Sequence, residues 1–163
     1  MTGADVGANR GFISYTRDDN DDFNRVVGEL KRTLAGRFHA HTGRQLQFFV
    51  DRDSIGWGQD WRQRIRESVQ AATVFIPVVT MRYFSSEMCR EELLLFHSNA
   101  RQLGVTELIL PVTLAGADQI TADHALEEVR LIESLNYKNI ESAWEAGMTH
   151  RIGAGLCRKW SRT

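Results

Sequence analysis

One glutamate near the start of a predicted helix is the strongest candidate for chemistry in this chain. The helix is predicted over residues 88–102, and at 100° per residue Cys89 and Leu93 share the face that should pack against a sheet. Glu92 lies on the flank of that face, at the margin between core and crevice, whereas Glu91 points toward solvent. A carboxylate at such a margin can be partly desolvated and still reach a ligand, so Glu92 is a candidate functional residue. The simpler alternative is a solvated glutamate that stabilises the helix start through the helix dipole.

The elements that would position this glutamate follow a βαβα order, because short apolar runs alternate with amphipathic stretches. Strands are predicted at residues 11–15, 46–50, 73–79, 108–114 and 136–140. Helices are predicted at residues 23–38, 61–69, 88–102, 125–135 and 143–160, the first of them after an aspartate-rich turn. Pro77 is expected near the end of its strand, because proline has no N–H to donate to a sheet. The predicted fold is therefore α/β and flavodoxin-like, a doubly wound, five-stranded, mostly parallel sheet flanked by helices.

In such a fold, ligands gather at the carboxyl ends of the strands. The first strand leads into Ser14, Tyr15 and Arg17, and the planar guanidinium of Arg17 suits a diphosphate, although an ordinary surface arginine is an equal alternative. The second strand leads into residues 51–58, where two glycines permit unusual backbone angles. Trp57 in that segment is the kind of large anchor that interfaces favour, and a side chain folded back on its own domain is the simpler alternative.

The composition is that of one globular domain. The chain has 163 residues, of which 42% are hydrophobic and 25% charged, and its net charge of −1 argues against nucleic acid and against a polybasic membrane anchor. Cys89 and Cys157 are too few for a disulfide framework or a four-cysteine zinc site, and the five histidines show no spacing typical of metal ligands. These counts and spacings predict no bound metal. No signal peptide or membrane span is recognisable, so we predict a cytoplasmic protein.

Three segments resemble, in order, the signature segments of the TIR domain, the Toll/interleukin-1 receptor family. They are Phe12-Ile13-Ser14-Tyr15, then Asp51-Arg52-Asp53-Ser54-Ile55-Gly56-Trp57-Gly58, and then Ser86, Cys89 and Glu92 in the pattern Ser-x-x-Cys-x-x-Glu. The resemblance covers about residues 10–114 and implies a single TIR domain at residues 10–160 behind a flexible N-terminus at residues 1–9. TIR domains usually come fused to other modules, so the chain is expected to form the N-terminal head of a longer protein with a fused or associated sensor domain.

The resemblance also implies an activity. In enzymatic TIR domains the matching glutamate cleaves NAD, so Glu92 is expected to break the nicotinamide–ribose bond and to give nicotinamide plus ADP-ribose or a cyclic ADP-ribose. NAD is then the substrate, and no cofactor is expected. The residues expected to bind it are Ser14, Tyr15, Arg17, Asp51, Ser86, Met88 and Cys89. Many enzymatic members have tryptophan where this chain has Met88, whose polarizable sulfur can still pack against nicotinamide.

Self-association is the second implied property. The segment at residues 51–58 resembles the loop through which TIR domains contact one another, and its expected contact residues are Asp53, Ile55, Gly56, Trp57 and Gly58. A neighbouring protomer completes the site in enzymatic members, so a homo-oligomer or filament is expected to switch on activity. The expected setting is a bacterial-type effector in a defence or cell-death signalling system.

Three other interpretations compete with the enzyme. A non-catalytic TIR–TIR scaffold is the main alternative, and Met88 favours it. A response-regulator receiver domain would explain the Asp18-Asp19 pair, but the third strand runs into residues 80–82 with no phosphoacceptor aspartate, so we reject it. A nucleoside deoxyribosyltransferase would also use a glutamate on a sugar, but the segment around Trp57 and the motif at Cys89 fit a TIR domain better.

Overall fold

A parallel sheet of five strands organises the part of the chain that the structure describes. The structure, a computed structural model, describes residues 9–23, 25–48, 63, 74–104 and 106–147. The strands are β1 (Asn9–Ser14), β2 (Leu46–Phe48), β3 (Val74–Val79), β4 (Val112–Thr113) and β5 (Lys138–Asn139). They lie in the order β2-β1-β3-β4-β5 with every neighbouring pair parallel, which confirms the predicted doubly wound fold. In this order the winding reverses between β1 and β3, so the crevice for a ligand lies outside the carboxyl ends of those two strands.

Helices cover both faces of the sheet. They are α1 (Arg17–Asp22), α2 (Val26–Thr42), α3 (Met81–Ser85), α4 (Glu87–Leu103), α5 (Glu127–Ser134) and α6 (Glu141–Glu145), with short 3₁₀ turns at Thr106–Leu108 and Ala117–Gln119. Alternate residues of β3 point to opposite faces, and they divide the buried side chains into two clusters. Cluster 1 contains Ile76 and Leu34 and packs under α2, whereas cluster 2 contains Phe75 and Leu93 and packs under α4 and α5.

Two sequence predictions about the first helix are wrong. The aspartate-rich stretch forms the short helix α1, because Thr16 caps it by accepting the backbone N–H of Asp19 at 3.2 Å. The predicted single helix from residue 23 is interrupted at Arg25, whose φ of 58° is left-handed. The side chain of Asn20 accepts the N–H of Val27 at 3.1 Å and so supports the start of α2.

The positions of Pro77 and Pro111 in the sheet differ from what the sequence predicts. Pro77 lies inside β3, opposite Ser14 of β1, rather than near the end of the strand. The predicted strand at residues 108–114 is reduced to β4 and an isolated bridge between Phe75 and Ile109. Pro77 and Pro111 have no N–H, so a regular ladder between β3 and β4 cannot form there.

Most of the other predicted elements agree where the structure describes them. The helices predicted at residues 88–102 and 125–135 and the edge strand at 136–140 are present as α4, α5 and β5. The predicted helix at residues 61–69 lies outside the described residues except for position 63. The predicted last helix at residues 143–160 is wrong in its described part, because α6 begins at Glu141 and ends at Glu145, and the left-handed backbone of Gly147 (φ 69°) cannot continue it. None of the described helices has the length and hydropathy to cross a bilayer.

Gly11 of β1 is predicted to tolerate no side chain without cost. A Cβ at this position would lie 2.6 Å from Cε1 of Phe48 on β2, well inside van der Waals contact, so the ring has to move. We expect Gly11→Ala to lower the free energy of unfolding by about 1 kcal/mol in urea denaturation. The control is Gly36→Ala, because Gly36 lies on α2 with open space where a Cβ would be added and should gain about 0.5–1 kcal/mol. A stabilising Gly11→Ala would contradict the steric argument.

Candidate functional site

Glu92 lies in the second turn of α4 and is completely buried, with 0% of its surface exposed. Ser14, at the carboxyl end of β1, donates its hydroxyl proton to Oε2 of Glu92. The sequence predicted only partial burial, and that expectation is wrong because the short helix α3 packs against α4 on this side. The carboxylate therefore lies behind the carboxyl end of β1, next to the point where the sheet reverses its winding.

The spacing of the Ser-x-x-Cys-x-x-Glu motif has a local explanation. Ser86 is the N-cap of α4, and its side chain accepts the backbone N–H of Cys89 at 3.3 Å. Cys89 is fully buried in cluster 2 and anchors the first turn of the helix. Glu92 follows one turn later, so the cap and the anchor together fix the depth at which the carboxylate meets β1.

Tyr83 of α3 completes the surroundings of Glu92. Its side chain is fully buried, and its hydroxyl lies 2.9 Å from Oγ of Ser14 and 3.2 Å from the backbone carbonyl oxygen of Cys89. The phenol thus connects β1 to α4 through one oxygen atom. Three polar side chains from three separate elements, Ser14, Tyr83 and Glu92, share one buried hydrogen-bonded group.

A second buried carboxylate lies on α1. Asp19 is fully buried; Thr80 donates its hydroxyl to Oδ2 at 2.5 Å, and Nε of Arg82 lies 2.8 Å from Oδ1. Arg82 is half-exposed and also pairs with the exposed Asp22 at 2.5 Å. The hydrogen bond from Arg82 to Asp22 raises the pKa of Arg82 above its usual value, and the negative charge of Asp19 adds to that rise. Asp19 therefore has a cation to balance its charge and joins α1 to the start of α3.

The structure brings only some of the predicted substrate-binding residues to Glu92. Ser14 and Cys89 contribute to the hydrogen-bonded group, and half-buried Met88 packs on cluster 2. The remaining three that are described are placed elsewhere: Tyr15 is buried in cluster 1 on the other face of the sheet, Arg17 is exposed on α1, and Ser86 is half-buried at its cap position. The predicted Asp51 and the assembly residues Asp53, Ile55, Gly56, Trp57 and Gly58 lie outside the described residues.

Sequence reasoning missed Tyr83 and the Asp19 pairings. It interpreted residues 80–88 as a connection, whereas Thr80 caps the short helix α3 by accepting the N–H of Tyr83 at 3.3 Å. A threonine directly after an apolar strand is a recognisable N-cap signal, and it could have predicted α3. Nothing in the local pattern indicates that Tyr83 contacts Ser14, which is 69 positions away.

The described part of the chain contains no candidate metal-binding site. No group of three or more His, Cys, Asp or Glu side chains is arranged there to hold a metal ion. Among the described histidines, the pKa of His97 is lowered, first by its partial burial and then by the nearby positive charge of Arg101. The negative charge of Glu127 raises that pKa, but by less. These groups lie on α4 and α5 and contribute nothing to the Glu92 group.

Comparison with known proteins points to one family. Residues 12–152 match the model of a family described as TIR domain. Among solved structures, the chain is similar to the TIR domain of the Toll-related receptor TRR-2 from the lower metazoan Hydra magnipapillata, with 15% sequence identity and a TM-score of 0.47. That match covers 87% of this chain and 96% of the Hydra chain. No curated protein matches.

Proposed function

Because the chain belongs to the TIR domain family, we propose that it is an NAD-consuming enzyme whose catalytic residue is Glu92 and whose activity depends on self-association. The family assignment confirms the predicted TIR domain. The observation that supports the enzymatic subclass is the position of Glu92: its carboxylate accepts a hydrogen bond from Ser14 and lies beside the carboxyl end of β1, where the sheet reverses its winding. Ligands of doubly wound sheets bind at that edge, so a carboxylate there is a candidate functional group.

The chemistry needs only one carboxylate. When the bond between the ribose C1′ and the nicotinamide nitrogen breaks, its electron pair goes to the ring nitrogen, and nicotinamide leaves as a neutral molecule. No general acid is required, in contrast to an ordinary glycosidase. The ribose becomes an oxocarbenium-like cation, which the negative charge of Glu92 stabilises. Water or the adenine end of the same molecule then captures C1′, giving ADP-ribose or a cyclic ADP-ribose.

Residues around Glu92 support this role in different ways. The hydrogen bond from Ser14 orients the carboxylate, and half-buried Met88, one turn earlier on α4, offers an apolar contact for the nicotinamide ring. Arg17 is exposed at the start of α1 rather than next to Glu92, and there it offers a cation for the more distant diphosphate. Since Glu92 is enclosed, NAD has to displace covering side chains before it reaches the carboxylate. Association with other TIR protomers, triggered by a fused or associated sensor, gives the protein a means to control that step in defence or cell-death signalling.

A scaffold function is the second candidate, and the complete burial of Glu92 favours it. A carboxylate that is sealed between Ser14 and α4 can serve the fold alone. In that case the protein would bind other TIR domains, consume no NAD and depend on its surface for function.

Nicotinamide release separates the two candidates. We expect purified protein to release nicotinamide from NAD at a rate that rises more steeply than the protein concentration, because assembly has to precede chemistry. Fusion to an oligomeric carrier is expected to restore the rate at low concentration. The measurement is chromatographic quantification of nicotinamide and ADP-ribose products. A clustered protein that releases no nicotinamide would contradict the enzyme and favour the scaffold.

A further inference from the structure

Hydrogen bonds at both ends of Tyr83 connect the two buried carboxylates, with the covalent side chain of the tyrosine between them. Beginning at Asp19, the connection runs to the hydroxyl of Thr80 at 2.5 Å, and from there to the backbone N–H of Tyr83 at 3.3 Å. The phenol of the same tyrosine lies 2.9 Å from Oγ of Ser14, which donates to Glu92. Tyr83 is therefore held at both ends, by its backbone toward α1 and by its hydroxyl toward the candidate catalytic carboxylate.

Counting protons limits these bonds to two arrangements. Each hydroxyl has one proton to donate, and an ionised carboxylate only accepts. While Ser14 gives its proton to Glu92, its own oxygen is free to accept the proton of the Tyr83 phenol. The bonds then run from Tyr83 to Ser14 and on to Glu92, and each bond polarises the next.

The backbone carbonyl of Cys89 gives the phenol a second place for its proton. This oxygen lies 3.2 Å from the Tyr83 hydroxyl, slightly farther than Ser14. If Ser14 turned its proton toward Tyr83, the phenol could donate to Cys89 instead, and no buried hydroxyl would lose its partner. The acceptor that the phenol uses therefore biases the direction of the Ser14 proton, and the shorter distance to Ser14 favours the arrangement in which that proton goes to Glu92.

We propose that Tyr83 is a positioning residue for Glu92: its phenol directs the proton of Ser14 onto the carboxylate, and Asp19 holds the tyrosine in place through Thr80. This inference rests on the proposed function, because the positioned group is the carboxylate that stabilises the ribose cation. Small misorientation of a catalytic group lowers the rate of the chemical step more than it lowers substrate affinity.

The test compares two tyrosines that each lose one hydroxyl. Tyr83→Phe keeps the buried ring, and we expect it to lower kcat for NAD cleavage about 10-fold while KM changes less than about twofold. Tyr137→Phe is the matched control, because its hydroxyl lies 3.3 Å from the backbone oxygen of Ala117 and cluster 2 likewise holds its ring. We expect that control to retain wild-type kcat.

A double variant shows whether the phenol acts through Ser14. Ser14→Ala removes the direct donor to Glu92, so adding Tyr83→Phe to it is expected to cause no further loss of kcat. Equal additional losses in both backgrounds would show that the phenol acts independently of Ser14 and would overturn the proposal. A Tyr83→Phe variant with unchanged kcat would overturn it as well, while Glu92 could still be the catalytic residue.

A measurement without substrate keeps this proposal separate from the enzymatic one. Protein labelled with ¹³C at glutamate carboxyl carbons gives a signal for Glu92, identified by its loss in Glu92→Gln. We expect Tyr83→Phe to shift that signal and Tyr137→Phe to leave it unchanged, whether or not the protein cleaves NAD. An unmoved Glu92 signal in Tyr83→Phe would refute the positioning role. Absence of NAD cleavage together with the shift would refute only the proposed enzyme.

Discussion

Glu92→Gln is expected to reduce nicotinamide release by about 100- to 1,000-fold, because the charge that stabilises the ribose cation is lost. The amide has nearly the same shape as the carboxylate, and its oxygen can still accept the hydroxyl of Ser14. The substitution therefore removes charge with little change in packing. Rates should be measured on clustered protein at saturating NAD, so that neither assembly nor binding limits the result.

Glu91→Gln is the control for this variant. Glu91 is the residue before Glu92 on α4, carries the same charge and is only half-buried, so the same substitution there is expected to leave the rate within about twofold of wild type. Melting temperature and oligomeric state should be recorded for both proteins. If Glu92→Gln kept more than half of the wild-type rate while Glu91→Gln behaved the same way, Glu92 would have a structural role only.

Asp19→Ala is expected to lower the free energy of unfolding by about 3 kcal/mol, because it removes the partner of a buried hydroxyl and of a cation. Thr80 loses the acceptor that it contacts at 2.5 Å, and α1 loses its polar connection to the start of α3. After the substitution the half-exposed Arg82 is still hydrated and still paired with Asp22. Most of the lost stability therefore comes from the unsatisfied hydroxyl of Thr80 and from the cavity that the removed carboxylate leaves. Urea denaturation followed by circular dichroism measures the change.

Asp22→Ala provides a matched comparison for this prediction. Asp22 lies on the same helix and pairs with the same Arg82, but its side chain is 61% exposed. Exposed ion pairs contribute little, so we expect a change within about 0.5 kcal/mol. Equal destabilisation by the two substitutions would contradict the argument that burial, rather than pairing with Arg82, makes Asp19 important.

Much of the fold could be predicted because its signals are local. The continuous apolar run of β3 is buried at all six positions, and the periodicity of α4 correctly selects Cys89 and Leu93 for the core. Failures occurred where one residue overrides a pattern. Arg25 breaks a helix through its left-handed backbone, and Pro111 interrupts a strand through its missing N–H.

The candidate site could be predicted only in part. The motif identified Glu92 and Ser14, which do contact each other in the structure. It did not indicate that Glu92 would be completely enclosed, because a helical wheel shows one helix against a sheet and says nothing about α3. Tyr15 belongs to the same strand motif as Ser14, yet it packs in cluster 1, since consecutive residues of an extended chain point to opposite faces.

The sequence by itself determined the family, the α/β class and the identity of the candidate carboxylate. Each depends on residues that are near one another in the chain or on periodicities of two and 3.6 residues. The tertiary structure alone decided what surrounds that carboxylate. Ser14 and Glu92 are 78 positions apart, and they meet because β1 lies beside β3 and α4 returns across the sheet. Hydrogen bonds over such separations depend on the order of the strands, and no local pattern of side chains encodes that order.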